Sequence, residues 1–343
     1  MNSEKPVSHA LAVCILAFTC VLWATSFAGV KICGGALLAG SAPGVAPQFG
    51  TVLLTALRFT LALPLLMVFW KPARVWRPRR SDLVPLLKVA LPMAVGFLTQ
   101  AAGLATVPAT LSGFITGLCV CLTPGVEWIL HGRRPTWRLL IGVGLATAGV
   151  SLMTLTAGNR EWQLSWGVAL TCLCVVAFTL QIVYTGESSR RLGAARLTTG
   201  SFALTAVCAW AVALAMAPRS IPGALRAAAA SGQFWLHFAI VLICATIGAM
   251  VLMNAFQRYI RPSEAAVVYT SEPVFAAVFA FLFIGAAEIP GSLGLFGAAL
   301  MLAANLVVAL KRRQPPEGAP GAPILPGVTD PELEGSRQPA ANR

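Results

Sequence analysis

Arg58 and Glu272 each stand alone inside a long apolar stretch, roughly ten residues from its start, which is about 15 Å along a helix. A charge at that depth in a bilayer costs at least a few kcal/mol, so it marks either a function or a fixed structural pair. Matching depth lets the two meet, and two chemistries are open. As a switchable clamp, Glu272 would take a proton or a substrate amine while Arg58 holds a carboxylate in a bidentate fork. As a permanent ion pair, they would fix helix packing. Pro273, next to Glu272, favours a helix break whose freed carbonyls face a cavity.

Other polar side chains fall in the same apolar runs: Trp23, Ser26, Gln100, Thr116, Gln181, Tyr184, Asn254 and Tyr269. Such groups turn toward a cavity or a neighbouring helix rather than lipid, so each is a candidate for substrate contact or interhelical hydrogen bonding. Trp23 lies too deep for an interfacial aromatic belt. Glu127, close to Arg133 and Arg134, reads as their local charge partner. No metal site is expected: Cys119/Cys121 and Cys172/Cys174 are each two apart, which puts the thiols on nearly opposite helix faces. The nine cysteines are an odd number in apolar surroundings and do not form a disulfide framework.

The elements that carry these residues are membrane spans. Of 343 residues, 57% are hydrophobic and 11% charged, against roughly a quarter charged in soluble domains, and the mean hydropathy is +0.78. A hydropathy window predicts ten transmembrane helices, at 10–30, 49–70, 86–106, 110–130, 137–157, 166–185, 198–217, 234–256, 264–285 and 291–310. The net charge of +13 sits in short loops, a topology pattern and not a phosphate-binding face, so nucleic acid is excluded as a partner. About 19 of the Lys and Arg residues flank one side and about four the other, which predicts both termini to be cytoplasmic. The first apolar run is read as a retained helix, and the Pro- and Gly-rich tail as disordered.

The segment after Arg133-Arg134-Pro135-Thr136-Trp137 is similar to that after Glu288-Ile289-Pro290-Gly291-Ser292, each leading into the last helix of a five-helix half. An odd number of helices per half inverts the second relative to the first. The expected fold is therefore an all-α membrane protein built from two inverted repeats, 10–157 and 166–310. The linker 158–165 joins them, and the cytoplasmic segments 1–9 and 311–343 flank them. In transporters this arrangement puts the substrate at mid-membrane between the halves.

Leu22-Trp23-Ala24-Thr25-Ser26-Phe27-Ala28-Gly29-Val30-Lys31 resembles the opening motif of the EamA family in the drug/metabolite transporter superfamily. Leu57-Arg58-Phe59 is similar to the family's arginine motif, and Ala265 to Ala277, with Glu272-Pro273 at its centre, to its Glu-Pro motif. Gly132-Arg133 departs from the Gly-Glu usual after the family's fourth helix. The resemblance implies a secondary transporter of the inner (plasma) membrane, an exporter of amino acids or related amphiphilic metabolites, working by alternating access. Its expected partners are a small-molecule substrate and membrane lipid, with no cofactor; a proton is the coupling ion if Glu272 titrates, and the coupling ion is otherwise open. Two other readings are carried: a non-transporting sensor or scaffold on the same fold, and a membrane-embedded enzyme. The three histidines, His9, His131 and His237, lie too far apart to supply clustered catalytic groups.

Overall fold

A computed structural model describes residues 7–74, 79–107, 109–156, 166–284 and 291–309. The expected linker at 158–165, the tail at 311–343 and Glu288 lie outside the described residues. Among the described residues every regular element is helical. The principal ones are α1 (His9–Ala39), α2 (Gln48–Phe69), α3 (Leu83–Leu104), α4 (Ala109–Gly117), α5 (Cys119–His131), α6 (Trp137–Thr156) and α7 (Trp166–Leu192). They continue as α8 (Ala194–Met216), α9 (Ile221–Ala229), α10 (Gly232–Ile240), α11 (Ala249–Phe256), α12 (Pro262–Tyr269), α13 (Glu272–Ile284) and α14 (Ser292–Ala309), with a π-helical stretch Val241–Gly248 joining α10 to α11.

Among the described residues, six helical stretches are long and apolar enough to cross a membrane: His9–Ala39, Gln48–Phe69, Arg80–Leu104, Trp166–Leu192, Ala194–Met216 and Gly232–Tyr259. Shorter apolar helices cover Ile115–His131, Trp137–Gly149 and Ser292–Ala304. The chain is therefore a multi-span membrane protein. Its outward surface fits that solvent, with Phe69, Ile129, Trp137 and Trp166 among the most exposed apolar side chains, while Thr19, Thr51, Thr55 and Arg58 are buried.

Several helix ends differ from the hydropathy reading. Helix α1 starts one residue early, where the Ser8 hydroxyl accepts the Leu11 N–H at 3.2 Å, and it runs nine residues beyond Val30 because nothing interrupts the helix before Gly40. Helix α7 carries on through Glu187 and Arg191, which pair one turn apart at 2.9 Å, and stops at Gly193, whose φ of +77° suits glycine.

Two expected spans are each broken in the middle. The run at 110–130 divides at Leu118 into α4 and α5, and the run at 264–285 divides at Thr270-Ser271 into α12 and α13. At the second break Pro273 lacks the N–H that would bond the Tyr269 carbonyl. The turn tightens instead: the Thr270 and Ser271 N–H groups reach Val267 and Val268 carbonyls at 3.2 and 3.1 Å. Their hydroxyls donate to the same two carbonyls at 2.6 and 2.8 Å.

Short α12 is anchored at its start by two carboxylates. Buried Glu127, from α5, accepts the Ser263 N–H at 3.1 Å, the Ser263 hydroxyl and Arg261 Nε at 3.4 Å. Its partners are thus on the far half of the chain and not Arg133 and Arg134, because the helix N-terminus offers fixed donors and positive dipole that exposed arginines do not. Glu264 accepts the Arg261 N–H at 3.2 Å and lies 3.2 Å from His9 Nε2 at the start of α1.

Packing is reciprocal between the expected halves. Helix α1 packs on the α10–π–α11 rod and α3 on α7; α2 packs on α8, α6 on α14, α5 on α12 and α4 on α13. Glycines permit the closest approaches. A Cβ on Gly50 of α2 would fall on the Gly34 carbonyl of α1, whereas one on Gly35 would meet nothing within 4 Å. Gly50→Ala is expected to lose about 1–3 kcal/mol to overpacking, and Gly35→Ala nothing. Thermal unfolding of the two variants in the same detergent checks this, and equal melting would refute the α1–α2 contact.

Candidate functional site

A cavity lies among α1, α3, the α4–α5 break, α7, α11 and the α12–α13 break, enclosing about 670 Å³ with its open space included. That size lies within the range of small-molecule sites. Each of these six regions supplies a pair of lining residues three positions apart. The first half gives Trp23 and Ser26, Phe97 and Gln100, and Thr116 and Cys119. The second gives Phe178 and Gln181, Met250 and Met253, and Tyr269 and Glu272. Three residues make nearly one helical turn, so each pair presents two side chains on one face.

Seven of the ten residues singled out in the sequence line this cavity: Trp23, Ser26, Gln100, Thr116, Gln181, Tyr269 and Glu272. Tyr269 meets the Trp23 ring edge-on at 5.3 Å and donates its hydroxyl to Gln257 Oε1 at 3.0 Å. Gln257 in turn donates to the Ile182 carbonyl on α7. Gln100 Nε2 donates to Thr116 Oγ1 at 3.3 Å, and Gln181 Nε2 points to Met253 Sδ at 3.9 Å. The Trp23 Nε1–H is buried without a hydrogen-bond partner. Glu272 is half-buried at the first position of α13, where the helix dipole favours a negative group.

Arg58, Tyr184 and Asn254 lie elsewhere. The Arg58 guanidinium is packed over two rings, 5.0 Å from the Phe59 centroid and 4.8 Å from that of Phe97. Its Nε lacks a hydrogen-bond partner, and none of the ion pairs among the described residues joins it to Glu272. The expected matching depth therefore does not bring contact: Arg58 packs against Phe97, which lines the cavity, and is not itself a lining residue. Tyr184 sits at one end of the bundle beside Lys88, whose ammonium is 5.1 Å from its ring, and His131 at 6.2 Å. Asn254 faces α8, donating to Thr198 Oγ1 at 2.9 Å, and its carbonyl accepts from Ser189.

Phe97, Phe178, Met250 and Met253 were not singled out, because an aromatic or Met in an apolar run reads as core. The expected repeat offers the missing signal: Trp23/Ser26 on the first span would predict a pair three apart on the sixth, where Phe178 and Gln181 line the cavity. Gly96 shapes this wall, since a Cβ there would strike the Phe178 ring. Phe178 also packs edge-on against Phe97 at 5.3 Å.

The isolation of Arg58 has a measurable consequence. A buried charge without an acidic partner is replaced by a hydrophobe at little cost, whereas breaking a buried pair costs about 3–5 kcal/mol. Arg58→Met is expected to melt at or above the temperature of the unmodified chain. A large drop would mean that Arg58 and Glu272 are paired after all.

Residues 10–155 match the EamA-like transporter family. An uncharacterized transporter of Archaeoglobus fulgidus is 27% identical over 303 residues, covering 86% of this chain and 85% of the relative. A protein of Streptantibioticus cattleyicolor named a probable terminal-alkyne amino-acid exporter is 28% identical over 302 residues, covering 87% and 93%. A solved crystal structure superposes with a TM-score of 0.67 at 17% identity, covering 88% of this chain and 99% of its own, a likeness of fold alone.

Proposed function

We propose that this chain, whose residues 10–155 match the EamA-like transporter family, is a secondary exporter of small amphiphilic metabolites, amino acids or their relatives, and that the central cavity is its substrate site. The observation that carries this reading is the composition of the cavity wall, which draws on three spans of each expected half. Spans one, three and four of the first repeat line it together with their counterparts six, eight and nine. A site at the seam of two repeats, built partly from broken helices, is the arrangement alternating access requires, since rocking one half against the other exposes it to either side.

The same correspondence supports the ten-span inverted repeat, with halves 10–157 and 166–310 and the loop 158–165 between them. The reciprocal helix packing described above is what an approximate two-fold axis in the membrane plane would generate. Both termini are proposed to be cytoplasmic, with the protein in the inner (plasma) membrane. The ion pairs His9–Glu264, Glu127–Arg261, Glu187–Arg191 and Asp82–Arg196 fall at the helix ends on that side.

Substrate contact is assigned to Trp23, Ser26, Gln100, Thr116, Gln181, Tyr269 and Glu272. Arg58 acts through the Phe97 wall, and Tyr184 and Asn254 hold helices together. Glu272 is the group through which a proton would couple to transport, because it is the one acid among the described lining residues. The site works by binding and release, without a bond-making step. The amino-acid class draws on the name of the Streptantibioticus relative.

The test compares extracellular metabolites, by mass spectrometry, from cells carrying this chain, its Glu272→Gln variant or an empty vector, at matched membrane levels. One or more amphiphilic compounds should accumulate outside with the unmodified chain, and accumulation should fall about tenfold or more with the variant, equivalent to 1.4 kcal/mol or more. Export undiminished by the substitution would remove Glu272 from the mechanism. No difference between the chain and the empty vector would count against export.

A further inference from the structure

The charge pattern of the cavity narrows the ligand beyond an amphiphile, on the premise that this cavity is the substrate site. The two broken helices occupy matching places in the two repeats, yet they present different chemistry. Counting from each break, Cys119 stands in the first where Glu272 stands in the second. The cavity therefore carries one carboxylate, and no Lys, Arg or His is among the described residues that line it. Arg58, the one buried Lys or Arg among the described residues, is packed against the Phe97 ring and is not among those lining the cavity.

Three further rings face this carboxylate's cavity. Trp23 and Tyr269 meet edge to face at 5.3 Å, and Phe178 meets Phe97 in the same way. An edge-to-face pair cannot use both ring faces on itself, so π-surface is left for a guest. Phe97 is the least suited to hold a cation, because one of its faces already receives Arg58. Trp23, Tyr269 and Phe178 remain, and rings around a carboxylate are the setting in which an alkylammonium group is held.

An anionic group finds no cation. A carboxylate entering the cavity would lie near Glu272 with neutral donors alone to receive it, the unpartnered Trp23 Nε1–H among them, while Gln100 bonds Thr116 and Gln181 points to Met253. Burying an anion without a cationic partner is costly.

We infer that the cavity recognises its ligand by an ammonium group, seated on Glu272 among the Trp23, Tyr269 and Phe178 rings, with an apolar body against Met250 and Met253, and that a carboxylate on the ligand contributes nothing to binding. The ligand class is thus the apolar monoamine, with an amino acid bound through its amine alone.

Four compounds of similar skeleton separate the possibilities: 2-phenylethylamine, L-phenylalanine, 3-phenylpropionate and 2-phenylethanol. Their affinities are measured by calorimetry on the full chain in lipid nanodiscs, beside Glu272→Gln and Trp23→Leu variants that retain the melting temperature of the unmodified chain. The amine should bind at least as tightly as phenylalanine and about tenfold or more tighter than the propionate or the alcohol. Glu272→Gln should weaken the amine by about tenfold or more and leave the alcohol within about twofold, and Glu272→Asp should restore part of the loss. Trp23→Leu should weaken the amine more than the alcohol.

Phenylalanine binding well above the amine would overturn the inference, since it requires a cation such as Arg58 to reach the ligand. The propionate binding best, equal losses for amine and alcohol in Glu272→Gln, or no binding by any of the four would overturn it too. Flux in proteoliposomes separates this from the transport reading. An amine that binds with the stated selectivity and is not carried leaves the recognition intact and removes transport. Flux of another compound, unchanged in Glu272→Gln, does the reverse.

Discussion

Hydrocarbon offers no hydrogen bonds, so a chain may leave the helical path at membrane depth only where protein or a polar cavity receives the freed backbone groups. The interruptions at Leu118 and at Thr270-Ser271 meet that condition, and the rest of the site depends on it. At the second, the hydroxyls of Thr270 and Ser271 fall back on the carbonyls of Val267 and Val268, so part of the demand is met locally. What remains faces the cavity, which both breaks line. Tyr269 and Glu272, on either side of the tightened turn, both line the cavity wall.

The cost of a break is a short helix, and α12, with eight residues, is too short to be stable by its own hydrogen bonds. Its two ends explain how it persists. Glu127 and Glu264 satisfy the orphan donors at the start and complement the dipole, and Glu127 does so from the opposite half of the chain. Tyr269 closes the other end through Gln257, which reaches the Ile182 carbonyl of α7. The same few bonds thus shape the cavity wall and join α5, α7 and α1 to α12. Any rearrangement that opens this end of the bundle must exchange the Glu127 contacts for water or another partner, which makes them the natural resistance to motion there.

Hydropathy made the helical class and most of the spans legible, because twenty-residue apolar runs have few other uses. It could not see the breaks. Pro273 was a visible warning at one of them, but Leu118 is an ordinary apolar residue between Gly117 and Cys119, and the tightening there is a tertiary outcome. Expected depth along the helix was likewise a poor guide to contact: Arg58 and Glu272 have different neighbours, because depth fixes one coordinate and leaves the helix rotation free. Polar residues were easy to flag because their burial needs a reason, and Asn254 has one that is purely structural in its bond to Thr198. Apolar walls carry no such flag, and Phe178 and Met253 become legible only when the repeat is used as a ruler.

The i, i+3 pairs allow a last step. If both halves descend on the cavity with the same geometry, the geometry alone gives a symmetric hole with no preferred ligand, and selectivity must come from where the two sets of side chains differ. Ser26 faces Gln181 in the correspondence and Phe97/Gln100 faces Met250/Met253, exchanges that alter shape and hydrogen bonding by modest amounts. Cys119 against Glu272 is the one exchange that alters charge. A thiol and a carboxylate at equivalent breaks have very different demands in a medium of low dielectric, where an acid needs a cation, a proton or a dipole to complete it. The start of α13 supplies a dipole, and no Lys, Arg or His is among the described residues that line the cavity. On the proposed reading, the charge difference between Cys119 and Glu272 is what lets one side of a nearly symmetric cavity select a cationic group.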